Sequence, residues 1–221
     1  MEDIRHIVWD WNGTLLDDVA ACVEAINRMI AVRGLRPLDE TRYRDLFQFP
    51  VRNYYAELGF DLEREDWDAM AREFHAHYHD TAGSTRLRDG VTDVLQAFRD
   101  RGVAMSILSA CEITILRNML AARGIAHFFQ HVRGLADLHA ASKLELGRRL
   151  LADLALRPEQ VLLIGDTTHD HDVAEALGCR CLLVAGGHQS AERLTGSARA
   201  MRTGIRDLLA LIAALPPPAA A

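Results

Sequence analysis

Short apolar runs alternate with amphipathic stretches of helical length along most of this 221-residue chain. Residues 4–9 form an apolar run closed by Asp10, the pattern of a buried strand. Val19, Cys22, Val23, Ile26, Met29 and Ile30 recur at helical spacing, which predicts a helix over 18–33 with Gly34 as its stop. Residues 37–84 stay helical, with breaks at "FQFP" and "LGFD", and no strand is expected there. Within this stretch Trp67, Met70 and Phe74 share one face of a helix over 66–78. After Gly90 the rhythm changes. Predicted helices over 90–101, 112–123, 143–154, 170–177 and 205–213 alternate with predicted strands over 103–108, 131–133, 161–166 and 181–184. Such alternation implies βαβ units and a parallel sheet, an α/β fold. The length suits one such core, residues 1–15 and 86–221, with the helical section 16–85 inserted as a subdomain.

Composition narrows the function classes. Hydrophobic residues make up 49% of the chain, charged residues 25%, and the net charge is -6. No basic stripe offers a nucleic-acid backbone a partner. No apolar run approaches membrane-spanning length, and the start "MEDIRH" lacks a secretory apolar core. Cys22, Cys111, Cys179 and Cys181 form no C-x-x-C pair, and Cys179 and Cys181 would share a strand face. They read as reduced thiols of a cytoplasmic protein. A homodimer is one assembly the sequence allows. The tail "LPPPAAA" reads as a frayed end. An acidic chain that handles an anion needs a cation or local basic groups to offset its charge.

Three polar residues fall together. Asp10, Ser109 and Asp166 each follow a predicted parallel strand, and in open α/β sheets ligands bind at that edge. Two carboxylates brought close repel unless one is protonated or a cation lies between them. Hard oxygen ligands suit Mg²⁺, which also accepts phosphate oxygens. Ser109 adds a hydroxyl, and Lys143, at a predicted helix start after Ser142, adds a fixed positive charge. Together they fit a phosphoryl group, whose transfer needs mainly positioning and charge neutralisation.

"DWNGT", residues 10–14, resembles the first motif of the haloacid dehalogenase-like hydrolases, commonly D-x-D-G-T. "SILS" ending at Ser109 resembles the second motif, Lys143 the third and "GDTTHD", residues 165–170, the fourth. A helical section after the first motif resembles family members with a helical cap, including phosphoglycolate phosphatase-like enzymes. The resemblance implies a Rossmann-like core with a mobile cap. It implies a Mg²⁺-dependent phosphatase acting on a small phosphorylated metabolite, with phosphoglycolate as a candidate. It makes Asp10 the nucleophile that forms an aspartyl-phosphate. Ser109 and Lys143 bind the phosphate, Thr14 holds the loop or binds phosphate, and Gly13 permits the turn. The metal set it implies is Asp10, Asp166, Asp170 and the backbone carbonyl of Asn12.

Asn12 departs from the family pattern. An aspartate is usual there, protonating the leaving oxygen and then activating water; an amide does neither. Another group supplies the proton, or the leaving group needs none, or the protein binds phosphorylated ligands with little turnover. Halide displacement, which needs no such proton, is a further option, set against the acidic fourth motif. Arg52 in "LFQFPVRNYY" is a candidate contact for a substrate carboxylate or second phosphate, and Phe47, Phe49, Tyr54 and Tyr55 are expected in the cap core. His188 is placed near the sheet edge. In "HDHD", His169 and Asp170 belong to the fourth motif, while His171 and Asp172 open a helix. In "HAHYH", His75 and His79 share a helix face expected to be solvated.

Overall fold

The structure, a computed structural model, describes residues 3–136, 142–196 and 201–213. The tail expected to fray lies outside them. The described elements run β1 (His6–Trp9), β2 (Leu16–Asp17), α1 (Val19–Val32), α2 (Glu40–Leu46), α3 (Val51–Leu58), α4 (Trp67–Ala82), β3 (Arg86–Leu87), α5 (Val91–Asp100) and β4 (Ala104–Glu112). They continue with α6 (Ile113–Ala122), β5 (His131–Leu135), α7 (Lys143–Leu154), β6 (Val161–Gly165), α8 (Thr168–Leu177), β7 (Arg180–Val184), α9 (Ala191–Thr195), β8 (Met201–Arg202) and α10 (Leu208–Ala213). Six strands form one parallel sheet in the order β5-β4-β1-β6-β7-β8. β1 lies between β4 and β6, so the chain leaves its carboxyl end at a switch in strand order, the crevice where such sheets bind ligands.

The strands are apolar on both faces because helices cover both. Ile7, Trp9, Ile107 and Ile164 pack with α5, α6 and α10. Val8, Leu108, Val161 and Leu163 face α7 and α8. Alternate residues of one strand thus enter different layers, which is why these segments read as continuous apolar runs. The helices α1 to α4 have their own core, in which Val19, Ile26, Met29 and Ile30 of α1 meet Tyr43, Tyr54, Tyr55 and Met70. These residues are the apolar stripe of α1 read from the sequence.

Some elements differ from expectation. Antiparallel β2 and β3 form a two-stranded ribbon on either side of the helical section, with Leu16 opposite Leu87 and Asp17 opposite Arg86. Two-residue strands carry no periodicity to read. β8 and α9 are also additions, and the helix expected over 205–213 opens with a 3₁₀ turn before α10. Cys179 precedes β7 rather than sharing a strand face with Cys181. β4 continues through Ser109 to Glu112, with a register shift against β5 between Leu108 and Glu112. Ser109 therefore sits inside a strand irregularity, not beyond a strand end. Gly134 of β5 lets that irregularity approach: a Cβ there would lie 2.6 Å from the Cys111 carbonyl oxygen.

Candidate active site

Asp10 and Asp166 directly follow β1 and β6, adjacent strands in register from His6–Val161 to Trp9–Ile164. The Asp10 backbone N–H donates to the Ile164 carbonyl at 2.9 Å, extending the ladder to the carboxyl edge of the sheet. Lys143, the first residue of α7, brings its ammonium between two carboxylates. Its Nζ donates to Asp10 Oδ1 and to Asp170 Oδ1, the latter at 2.6 Å. The other Asp170 oxygen caps α8, accepting from the Asp166 and Thr167 backbone N–H groups and from Thr167 Oγ1. Gly165 makes room for it, since a Cβ there would fall 2.2 Å from Asp170 Cγ.

Asp166 is held from two sides. Thr14 Oγ1 donates to its Oδ1 at 2.6 Å, and the His188 backbone N–H donates to its Oδ2 at 2.6 Å. Thr14 is fully buried. Through this bond it holds the Asp166 carboxylate in place. Gly13 has φ +69°, and a Cβ on it would lie 2.3 Å from Asp166 Oδ2, so both the turn and the close approach require glycine. Arg88, unremarked in the sequence, donates to the Gly13 carbonyl at 2.8 Å and to the Ala185 carbonyl. Ser109 is buried, and its Oγ accepts the Cys111 N–H at 3.0 Å, which leaves its own proton to donate.

The electrostatics show a site short of positive charge. Ligand atoms of Asp10, Asp166 and Asp170 lie within 4.8 Å of one another. Burial and the neighbouring carboxylates push Asp10 up to about 7, against the pull of Lys143. Burial likewise raises Asp166, with His188 opposing. Burial also penalises charge on Asp170, but Lys143 outweighs it and holds that carboxyl below its ordinary value. Three buried carboxylates against one ammonium fit a divalent cation with hard oxygen ligands.

Asn12 faces a second cluster that the sequence reading missed. Its Nδ2 donates to Asp18 Oδ2 at 2.6 Å and to the Tyr78 hydroxyl at 3.2 Å. Asp18 precedes α1 but does not cap it; its carboxylate turns back instead. It accepts from the Gly13 N–H at 2.9 Å and from the Tyr78 hydroxyl at 2.8 Å. His188 Nε2 lies 3.3 Å from Asp18 Oδ1, and its Nδ1 is 2.8 Å from the Tyr43 hydroxyl. The ion pair overcomes burial on both partners, lowering Asp18 and raising His188 to about 9. The placement of His188 near the sheet edge was legible; Asp18 looked like an ordinary helix start.

Other expected positions divide. Arg52 is exposed, donates to the Leu62 carbonyl at 3.3 Å and lies over the Trp67 ring, and it is not among the residues lining the cleft. Phe47 packs against the cap core as expected and also lines the cleft, as does Phe49, which stacks on His169 with ring centroids 4.4 Å apart. Tyr54 and Tyr55 are buried in the cap core and also border the cavity. His75 and His79 do share a face, but it borders the same cavity and is not simply solvated. The cap is closed on the core: Arg44 donates to the Gly187 carbonyl at 3.0 Å and Gln189 to the Phe47 carbonyl at 2.9 Å.

Known proteins resemble this chain in sequence and fold. The phosphoglycolate phosphatase of Synechococcus elongatus is 25% identical over 88% of this chain and 90% of its own length. The N-acetylmuramic acid 6-phosphate phosphatase of Pseudomonas aeruginosa is 26% identical over 84% of this chain and 83% of its own. Among solved structures, a haloacid dehalogenase-like family hydrolase from Streptococcus pneumoniae superposes with a TM-score of 0.83 at 21% identity, covering 96% of this chain and 99% of that one. The family model described as haloacid dehalogenase-like hydrolase matches residues 7–184, a span that contains Asp10, Ser109, Lys143 and Asp166, and the chain belongs to that family.

Proposed function

We propose that the protein is a Mg²⁺-dependent phosphatase that hydrolyses a phosphate monoester through an aspartyl-phosphate on Asp10. The carrying observation is the placement of one nucleophile-competent carboxylate, Asp10, beside a buried ammonium and within ligand range of two further buried carboxylates. Its curated relatives act on phosphoglycolate and on N-acetylmuramic acid 6-phosphate by their names, which supports phosphoric monoester chemistry here.

In this reading Asp10, Asp166 and Asp170 hold the cation, together with the Asn12 backbone carbonyl. Bound there, Mg²⁺ offsets charge on the phosphoryl oxygens. Asp10 attacks phosphorus while Lys143 and the Ser109 hydroxyl neutralise non-bridging oxygens. Thr14 and the His188 backbone N–H keep Asp166 aimed, and the closed cap limits water. Asn12 cannot give the leaving oxygen a proton, since its amide carries none of usable acidity.

The test is phosphate release with and without Mg²⁺ across phosphate esters and acyl phosphates, for wild type and Asp10→Asn. Release that needs Mg²⁺ and vanishes in Asp10→Asn is the expected result. The amide at Asn12 favours a second reading, a phosphometabolite-binding protein with little turnover. Binding without release from any ester would select it.

A further inference from the structure

Beyond the carboxylate cluster the cleft opens into a cavity of about 670 Å³, a size that suits a bulky ligand. One end holds Asp10, Ser109 and Lys143. Much of the remainder is walled by apolar side chains. Phe49, Val51, Trp67 and Phe74 come from the helical cap, and Ile115 and Met119 from α6. All six are only half-buried, so the closed cap still leaves apolar surface facing the space. Burying that surface against an apolar group is favourable at about 25 cal/mol per Å².

A small, doubly anionic ester such as phosphoglycolate would need a second cation in this space. Among the described residues bordering the cavity, the lysine and arginine side chains are Lys143 and Arg123, and the charged imidazole of His188 is already paired with Asp18. Lys143 is engaged by Asp10 and Asp170. Arg123 donates to the Met119 carbonyl and to both oxygens of Thr85. Arg52, the expected partner for a carboxylate, lies outside. The cavity therefore recognises an organic group by packing, and its aromatic walls suit a ring.

Asn12 points to the same class by independent chemistry. With no acid at that position, a leaving group that departs readily as an anion is favoured. A phenol, like a tyrosine side chain, has a pKa near about 10 and accepts that charge far more readily than an aliphatic alcohol.

We infer that the substrate is an aryl phosphate, a phosphate monoester of a phenol whose ring occupies the apolar cavity while its phosphate meets Asp10. The inference rests on the phosphatase reading. An Asp10 oxygen attacks phosphorus, and the bond from phosphorus to the ring oxygen breaks with both electrons on that oxygen. The phenolate takes its proton from water. A second water then attacks the phosphorus of the aspartyl-phosphate, returning the Asp10 carboxylate and inorganic phosphate, and its proton passes to phosphate or solvent.

The experiment compares kcat/KM with Mg²⁺ for 1-naphthyl, phenyl and benzyl phosphate and for phosphoglycolate. Naphthyl and phenyl phosphate should exceed phosphoglycolate at least tenfold, and phenyl phosphate should exceed benzyl phosphate, whose ring is the same but whose leaving alcohol is less acidic. Ala71→Trp and the milder Ala71→Leu, both filling the cavity from α4, should lower naphthyl phosphate turnover at least fivefold at an unchanged fold by circular dichroism. Phosphoglycolate as the better substrate, benzyl matching phenyl, or full naphthyl activity in folded Ala71 variants overturns the aryl assignment and leaves the phosphatase reading standing. No release from any ester overturns both.

Discussion

Two buried polar clusters flank the Gly13 turn, and both place three potential metal ligands within 4.8 Å of one another: Asp10, Asp166 and Asp170 on one side, Asp18, Cys22 and His188 on the other. Ligand geometry does not separate them; charge does. The first sets one ammonium against three carboxylates, and burial pushes two of those carboxylates up. The second sets one carboxylate against one imidazole that is protonated at neutral pH, and its remaining acceptors take Gly13, Asn12 and Tyr78 as donors. The first leaves negative charge that a cation would offset, and the second is balanced within itself. Their neighbouring positions, Asp10 and Asn12, differ accordingly: a carboxylate held by Lys143 in one cluster and an amide donor in the other.

The largest expected effect tests the balance of the second cluster. Asp18→Ala strips His188, Asn12, Tyr78 and the Gly13 N–H of their shared acceptor. Breaking a buried ion pair typically costs about 3–5 kcal/mol. A thermal midpoint roughly 10 °C lower follows for a chain of this size. A midpoint within a degree or two of wild type would mean the cluster holds nothing in place.

Mg²⁺ probes the other side. Saturation at a hundredfold excess over Kd should raise stability by about 2.7 kcal/mol. The shift should disappear in Asp166→Asn and persist in variants of the second cluster that fold. A thermal shift that survives Asp166→Asn would place the cation elsewhere.

The contrast also explains what the sequence made legible. β1 and β6 were readable because strands buried on both faces carry unbroken apolar runs, and each run ended at an aspartate of the acidic cluster. Lys143 was readable as a helix start after Ser142, which does accept the Glu145 N–H. Asp18 was hidden by resemblance to a helix cap: an acidic residue before an amphipathic run is the usual signal for one. Its true partners are Tyr78 and His188, and no local pattern joins residues 60 and 170 positions apart. Ser109 was found in kind but misplaced, because a strand irregularity has no signature in apolar spacing. Arg52 lies exposed over Trp67 rather than among the lining residues, a placement on helix α3 that charge alone does not signal.

Asn12→Asp sharpens the comparison further. The family pattern taken alone makes this change a repair. The structure adds that the new carboxylate would sit where Nδ2 now lies 2.6 Å from Asp18 Oδ2. One of the two acids must then hold a proton, and a loss of about 2 kcal/mol is expected. The double variant Asn12→Asp with Asp18→Asn exchanges donor and acceptor. It should regain most of that stability and raise turnover of benzyl phosphate, the substrate with the poorer leaving group. Urea unfolding of both variants decides it: a single variant as stable as wild type would show that the amide–carboxylate bond is not what holds Asn12.

Cys22→Ala has the smallest expected effect and bears most directly on whether the clusters differ in kind. Cys22 Sγ lies 3.8 Å from Asp18 Oδ2, at the limit of a weak thiol bond, and burial pushes its thiol well above the ordinary range. A thiol held protonated is a poor ligand. Replacing it removes one buried sulfur and should cost about 1 kcal/mol or less. Zn²⁺ titration should give the same isotherm for wild type and Cys22→Ala, because neither exposes a vacant ligand set there. A Zn²⁺ binding event present in wild type and absent in Cys22→Ala would make the second cluster a metal site, and charge balance would no longer distinguish the two sides of the Gly13 turn.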